Sequence, residues 1–310
     1  MSEWPSVGVV IPTRDRPARL REAIASVLAQ DYPGQLQVVV VFDGAPVDES
    51  LAGGDPGGPD GRARVMVLAN DRTPGLAGAR NCGILASSTD LVAFCDDDDR
   101  WLPGKVRAQV TAMRSSAGAE FASCGIAVLF GGKSTDRVAG VAEVTHADLL
   151  RSRMVMVHSS TYLAWRAALM DGIGLVNETI PGGQNEDWDL ALRAARRRPI
   201  VNVDRPLVQV AWGSGSHYAR QWETKAESLL WMLEHHADLT KNQAGAARVY
   251  AQLAFAYACL GRRSESCRWI GRAVRRNWLE PRVPFAAAVA AGVVSGERVL
   301  RMLHAHGRGI

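Results

Sequence analysis

Residues 6–44 read SVGVVIPTRDRPARLREAIASVLAQDYPGQLQVVVVFDG, and the fold class follows from how this stretch divides. Its first eight residues are a short apolar run rich in Val and Ile, the composition of a strand buried on both faces. The period then changes. Leu20, Ile24, Val27 and Leu28 fall on one face of a helix, and Pro17 suits its first turn. The YPG that follows stops the helix. LQVVVVFDG is a second buried run, ending on Asp43 and Gly44. Strand, helix, strand in this order makes a parallel unit, because parallel neighbours need a crossover of this length.

The same alternation continues outward. Residues 45–64 are rich in Gly, Pro and Asp and read as a surface loop or linker. RVMVLAN is a third strand, GLAGARNCGILASS a helix whose small residues allow close packing, and DLVAFCDDDD a fourth strand. KVRAQVTAMRSS reads as a helix and AEFASCGIAVLF as a strand. STYLAWRAALMDGIG holds a strand and a turn, NEDWDLALRAARRR a helix capped by Asn185, and PIVNVDRPLVQVAW a strand pair. From about Trp222 the pattern is helical, with a helix–turn–helix about Gly261 that resembles a single tetratricopeptide-type repeat. The expected fold is α/β, a mostly parallel sheet flanked by helices, with residues 1–219 as its domain and 220–310 as a helical C-terminal extension.

Composition narrows the class. The 310 residues are 47% hydrophobic and 22% charged, ordinary for a soluble globular chain. The N-terminus lacks the basic region and apolar core of a signal peptide, and VPFAAAVAAGVV is too short to span a bilayer. Five cysteines without a CxxC pair argue against a zinc site or a disulfide framework and fit a reducing cytoplasm. From Arg220 onward 14 Lys and Arg stand against 7 Asp and Glu. That excess suits an acidic partner, a nucleic acid or an anionic membrane surface, or is simply a solvated Arg-rich helical face.

The chemistry is concentrated in CDDDDRW, Cys95 to Trp101. Adjacent carboxylates repel, and burying them is costly unless something positive neutralises them. A hard divalent cation, Mg²⁺ or Mn²⁺, is the natural partner. The spaced ligands, central Gly and terminal Glu of a calcium loop are missing. If the chain stays extended, Asp96 and Asp98 share one face and Asp97 and Asp99 the other. The run also lies at a strand's C-terminal end, where open parallel sheets bind ligands. Thr13 and Asp15, and Asp43 with Gly44, follow other strand ends and converge on the same edge. There Asp43 can accept hydrogen bonds from a base, Arg80 and Asn81 can meet a phosphate or base, and Gly75 and Gly78 let backbone approach a ligand.

In order, the stretches VGVVIPTRDRPARLREAIASVLAQ, VVVVFDGA, PGLAGARNCGI, LVAFCDDDDRWLPGK and NEDWDLALRAA resemble the family 2 glycosyltransferases of GT-A, Rossmann-like fold, over about residues 7–215. The resemblance implies inverting sugar transfer from a UDP-, GDP- or dTDP-sugar to a hydroxyl acceptor, aided by Mn²⁺ or Mg²⁺, with no nucleic acid partner. It places Pro12, Thr13 and Asp15 against the donor nucleoside, Asp43 on the base, and Arg80 and Asn81 facing the nucleotide. The family's DDGS is altered here to Phe42, Asp43, Gly44, Ala45. Asp98 becomes the direct metal ligand, Asp96 supports metal or ribose, Asp97 lies near the ribose, and Asp99 is structural or capping. Asp187 is the first choice for catalytic base and Glu186 the second. His217 is a candidate metal ligand, although the family's Arg-x-His spacing is absent. Trp188 and Trp212 are either a sugar-stacking wall or packing.

The competing readings are a nucleotidyltransferase, which lacks its glycine-rich phosphate loop here, and a non-catalytic scaffold, disfavoured by Asp43, Asp98 and Asp187. The acceptor side points to polysaccharide, glycolipid or natural-product assembly, or to a peptide held by the helical tail. Peripheral attachment of the basic region at the inner face of the membrane is the matching expectation for location.

Overall fold

A computed structural model describes residues 4–54, 63–211 and 221–305. In chain order these form β1 (Val7–Thr13), α1 (Pro17–Leu28), β2 (Leu36–Phe42), β3 (Gly53–Gly54), β4 (Ala63–Ala69), α2 (Leu76–Ala86) and β5 (Leu91–Phe94). Then come β6 (Asp99–Trp101), α3 (Lys105–Ser115), β7 (Phe121–Phe130), β8 (Lys133–Arg137), β9 (Glu143–Val144) and α4 (His146–Arg151). They are followed by β10 (Leu163–Trp165), α5 (Arg166–Asp171), α6 (Glu186–Arg197) and β11 (Ile200–Ala211). The chain closes on α7 (Trp222–His235), α8 (Gln243–Cys259), α9 (Arg263–Arg276), α10 (Val283–Ala290) and α11 (Gly296–Ala305).

One mixed sheet runs β3-β4-β2-β1-β5-β10-β7-β11-β6, with β8 on β7 and β9 on β11. β4, β2, β1 and β5 are mutually parallel. Thr13 pairs with Phe42 and Phe42 with Ala69, so the residues that follow these strands emerge along one edge. β10 reverses direction between β5 and β7, and β11 returns parallel to β7.

Alternation along the buried strands feeds two cores. Val10, Val39 and Val41 face α2, α6 and the C-terminal helices, whereas Val9, Val38 and Val40 face α1 and α3. Leu20, Ile24 and Val27 are the buried stripe of α1, as its period implies. Leu229 and Met232 of α7 and Val249 and Leu253 of α8 join Leu190 and Ala194 of α6 in one cluster. The extension is therefore welded to the sheet domain. Gly261, at φ +73°, makes the expected turn between α8 and α9. Among the described residues, no helix is long and apolar enough to cross a membrane.

Four local readings need correction. Residues 200–211 are one strand rather than two; its register against β7 breaks on both sides of Pro206, which has no N–H for the ladder. The segment expected to hold a strand and a turn also contains α5. The loop after β2 carries a single 3₁₀ turn, Glu49–Leu51, capped by Asp48, and then β3 against β4; residues 55–62 lie outside the described residues. Asn185 stands at the N-cap position of α6 but does not cap it: at φ +69° its amide donates to Ser228 Oγ on α7 at 2.8 Å.

The small residues of α2 do bring it close to the sheet. A Cβ placed on Gly83 would lie 2.3 Å from Val10 Cγ1, inside a fully buried layer. Gly83→Val is expected to lower stability by about 2 kcal/mol through overpacking, read as a reduced urea midpoint; an unchanged midpoint would contradict this packing.

Candidate active site

The aspartate run does not stay extended. β5 ends at Phe94, and the chain turns so that the Asp99 N–H donates to the Asp96 carbonyl at 3.0 Å. Strand alternation is lost there, and the expected face-sharing of Asp96 with Asp98 goes with it. Each carboxylate instead takes its own partners.

Asp96 faces Arg80, which is 2% exposed and rises from α2. Arg80 Nη2 donates to Asp96 Oδ1 at 2.7 Å, and Nη1 donates to Glu186 Oε1 at 2.5 Å. One guanidinium thus joins the end of β5 to the start of α6. Ser159 Oγ also donates to Asp96, at 2.9 Å, and the Asp96 N–H donates to Ser160 Oγ. Burial would raise Asp96, but Arg80 and then His158 hold it below the usual carboxylate range. Glu186 has Arg80 against it as well, yet burial dominates and lifts it to about 7.

Asp97 accepts from Thr13 Oγ1 at 2.8 Å and from Arg16 at 3.1 Å; burial still leaves it above its ordinary value. Asp98 is the outermost of the four, paired with Arg16 at 2.7 Å and Arg19 at 3.6 Å. Asp99 points inward. It accepts from Ser160 Oγ at 2.5 Å and lies 3.6 Å from His158 Nδ1. Burial and neighbouring Asp96 push it well above the carboxylate range. Asp96, Asp99 and His158 present potential metal-ligand atoms within 4.8 Å of one another. The 158–161 segment is anchored from behind: Trp101 Nε1 donates to the Ser160 carbonyl at 3.0 Å, and Gln109 to that of Thr161 at 2.7 Å.

Asp43 follows β2 on the same edge. It accepts from the Gly75 N–H at 2.9 Å and Asn70 Nδ2 at 2.8 Å, which fixes its carboxylate beside the start of α2. Pro12 is buried within β1, and Asp15 is exposed with φ +54°. Asn81 spends its amide on the loop before α6: it donates to Val176 O and Glu178 and accepts from the Val176 N–H. Burial would raise Glu178, but Asn81, Thr73 and Arg72 bring it down to about 2. Both residues of the expected nucleotide-facing pair thus have protein partners, Arg80 across the site and Asn81 beneath it.

Asp187 is gripped by Arg153, whose Nη2 lies 2.9 Å from both carboxylate oxygens. Burial would raise Asp187; Arg153 and then His158 hold it low. Trp188 is core, with Nε1 donating to the Leu149 carbonyl. Trp212, His217 and Arg220 lie outside the described residues. Sequence reasoning passed over Arg16, Arg153 and the His158–Ser159–Ser160 segment. The visible signal was a histidine followed by three hydroxyl residues just before a strand.

The sequence model of Glycosyl transferase family 2 matches residues 8–170, just over half the chain and all of the aspartate edge. The chain belongs to glycosyltransferase family 2. An N-acetylglucosaminyltransferase of Mesorhizobium japonicum is 34% identical over 121 residues, which cover 37% of this chain and 27% of that protein. The pre-mycofactocin glycosyltransferase of Mycobacterium tuberculosis is 29% identical over 212 residues, 64% of this chain and 42% of the relative. The chain thus spans only part of the curated relatives it matches. Residues 1–349 of TarS of S. aureus, solved with UDP-GlcNAc, superpose with a TM-score of 0.60 at 16% identity, covering 98% of this chain and 92% of that fragment. The Pyrobaculum calidifontis mannosyltransferase, solved with GDP-Man and Mn²⁺, gives 0.52 at 16%, covering 98% and 81%. These likenesses establish the GT-A-type fold of this family 2 chain, including the C-terminal helices in the aligned length.

Arg80 is the residue whose loss the site tolerates least. Arg80→Met leaves Asp96 and Glu186 facing each other without a cation, and is expected to cost about 3 kcal/mol or more in urea unfolding. A loss below ~1 kcal/mol would show that the guanidinium does not hold the edge together.

Proposed function

We propose that this family 2 chain transfers a sugar from a nucleoside diphosphate donor to an acceptor hydroxyl, with inversion and with Asp187 as the general base. The observation that carries the reading is the joining of the Asp96–Asp99 turn to the Glu186–Asp187 pair through Arg80, with Asp43 fixed at the start of the same helix by the Gly75 N–H. On this reading Asp43 would meet the donor base, and Asp97 with Thr13 the ribose. TarS binds UDP-GlcNAc and the Pyrobaculum enzyme GDP-Man, which supports a UDP- or GDP-sugar. Names among the relatives that refer to envelope polysaccharide favour a saccharide or lipid-linked acceptor made at the inner face of the membrane.

The site suits a divalent cation. Among the described residues, six carboxyls, Asp96 to Asp99 with Glu186 and Asp187, meet four guanidiniums, those of Arg16, Arg19, Arg80 and Arg153. Burial, with Asp96 beside it, forces Asp99 toward its neutral form. Asp98, the outermost, would hold Mn²⁺ or Mg²⁺ directly, with Asp96 in support from the Arg80 side, and the ion would neutralise charge on the departing diphosphate. The protein's own step is proton transfer. An acceptor hydroxyl loses its proton to an Asp187 oxygen as its oxygen bonds to the anomeric carbon. The bond from that carbon to the diphosphate breaks, and the diphosphate takes the electron pair. Arg153 must release Asp187 first, because a chelated carboxylate is a poor base.

Thermal-shift titrations with UDP-GlcNAc and GDP-Man test donor binding, which should require Mn²⁺ or Mg²⁺. Asp98→Ala should abolish the metal-dependent shift while His158→Ala keeps it; the reverse would move the ion to the inner Asp96–Asp99–His158 group. Asp187→Asn should keep donor binding and slow release of the nucleoside diphosphate by about 10²–10⁴-fold. Asp187 works only when ionised, so activity falls as pH drops through its pKa. Arg153→Gln removes the charge that holds this pKa down, so the acid limb should move to higher pH. An unmoved limb would remove Asp187 as the titrating base.

A further inference from the structure

The excess of basic residues in the C-terminal region has a specific place in the fold. α9 carries Arg263, Arg268, Arg272, Arg275 and Arg276 and a single acid, Glu265, which is already paired with Arg262 at 2.9 Å. Tyr250 of α8 and Arg272, Arg275 and Arg276 of α9 line an open pocket of about 250 Å³. Arg272 is stacked over Trp269 at 4.5 Å, which steadies one wall.

The turn that leaves α9 adds a second, independent feature. Trp278 is 76% exposed and Leu279 is 64% exposed, side by side between α9 and α10. The Asn277 side chain accepts from the Leu279 N–H at 3.1 Å, and the Glu280 N–H donates to the Asn277 carbonyl at 3.2 Å. The tip is therefore a fixed turn that displays two apolar side chains. Glu280, the next acid along the chain, is buried and bonded to Arg282 at 2.8 Å.

We infer that the α9–α10 turn docks on an anionic phospholipid bilayer. Trp278 and Leu279 enter the interfacial layer, and the pocket of Tyr250, Arg272, Arg275 and Arg276 receives a lipid phosphate. Trp favours the boundary between headgroups and acyl chains, and arginines are drawn to anionic headgroups. Either signal alone binds weakly and reversibly; the pair gives stable attachment. A purely electrostatic partner such as a nucleic acid would use the arginines but leave the apolar tip in water. The surface gives the peripheral location proposed above a physical basis. Vesicle binding is read without any sugar transfer, so either proposal can fail without the other.

The test is co-sedimentation of the full chain with phosphatidylcholine vesicles, with and without phosphatidylglycerol. Binding is expected only when the anionic lipid is present. The double variant Trp278→Ser with Leu279→Ser should weaken it by about tenfold or more at an unchanged thermal midpoint. Leu279→Glu alone serves as a second variant and should weaken it in the same direction. The triple variant Arg272→Gln, Arg275→Gln and Arg276→Gln should remove the preference for phosphatidylglycerol. No binding to anionic vesicles, or serine and glutamate variants that bind like the native chain, would overturn the proposal. So would displacement by inorganic phosphate beyond the effect of matched sodium chloride, because that would mark a site for free anions rather than lipid.

Discussion

A single buried guanidinium holds the working edge of this protein together. Arg80 is enclosed on α2 and divides its donors between Asp96, at the end of β5, and Glu186, at the start of α6. Neither acid could be buried there alone, because an unpaired carboxylate in a low-dielectric setting is forced toward its neutral form. Arg80 is not free to serve as a loose phosphate ligand, since both of its terminal nitrogens are spent within the protein. Its task is to bring the aspartate turn and the proposed base to one place and to hold them in register.

The remaining charges are arranged around that link by depth. Asp99 is turned inward toward Ser160 and His158, Asp97 is half committed to Thr13 and Arg16, and Asp98 meets Arg16 and the exposed Arg19 near water. Among the described residues the acids outnumber the cations within reach, an imbalance that the proposed divalent cation would relieve. The same logic applies on the other side of the site. Arg153 offsets the burial of Asp187 and, by doing so, suppresses its basicity. The resting arrangement favours stability, and the reactive one needs groups from outside the chain.

The C-terminal helices take part in both architecture and surface. α7 and α8 complete the core over α6, while α9 and the turn after it turn their arginines, Trp278 and Leu279 outward.

Much of the scaffold was legible in the residues alone. The switch from Val-rich runs to a Leu20, Ile24, Val27 stripe determined the strand–helix–strand unit, and the position of Asp43 and Asp96–Asp99 after such runs determined that they share the carboxyl edge. These are consequences of local period and of parallel topology, which a single sequence carries. The partner of each acid was not legible. A turn at Asp96–Asp99 replaced the extended geometry, so face alternation no longer applied. Arg80 reaches Glu186 across 106 residues, and Ser160 reaches Asp99 across 61, so no local pattern announces either contact. Asn185 likewise looked like a helix cap but was drawn to Ser228 on α7. The sequence by itself determined which residues lie at the edge. Only the tertiary structure decided which charges are matched and which are left over, because that depends on distances between segments that meet only when the chain is folded.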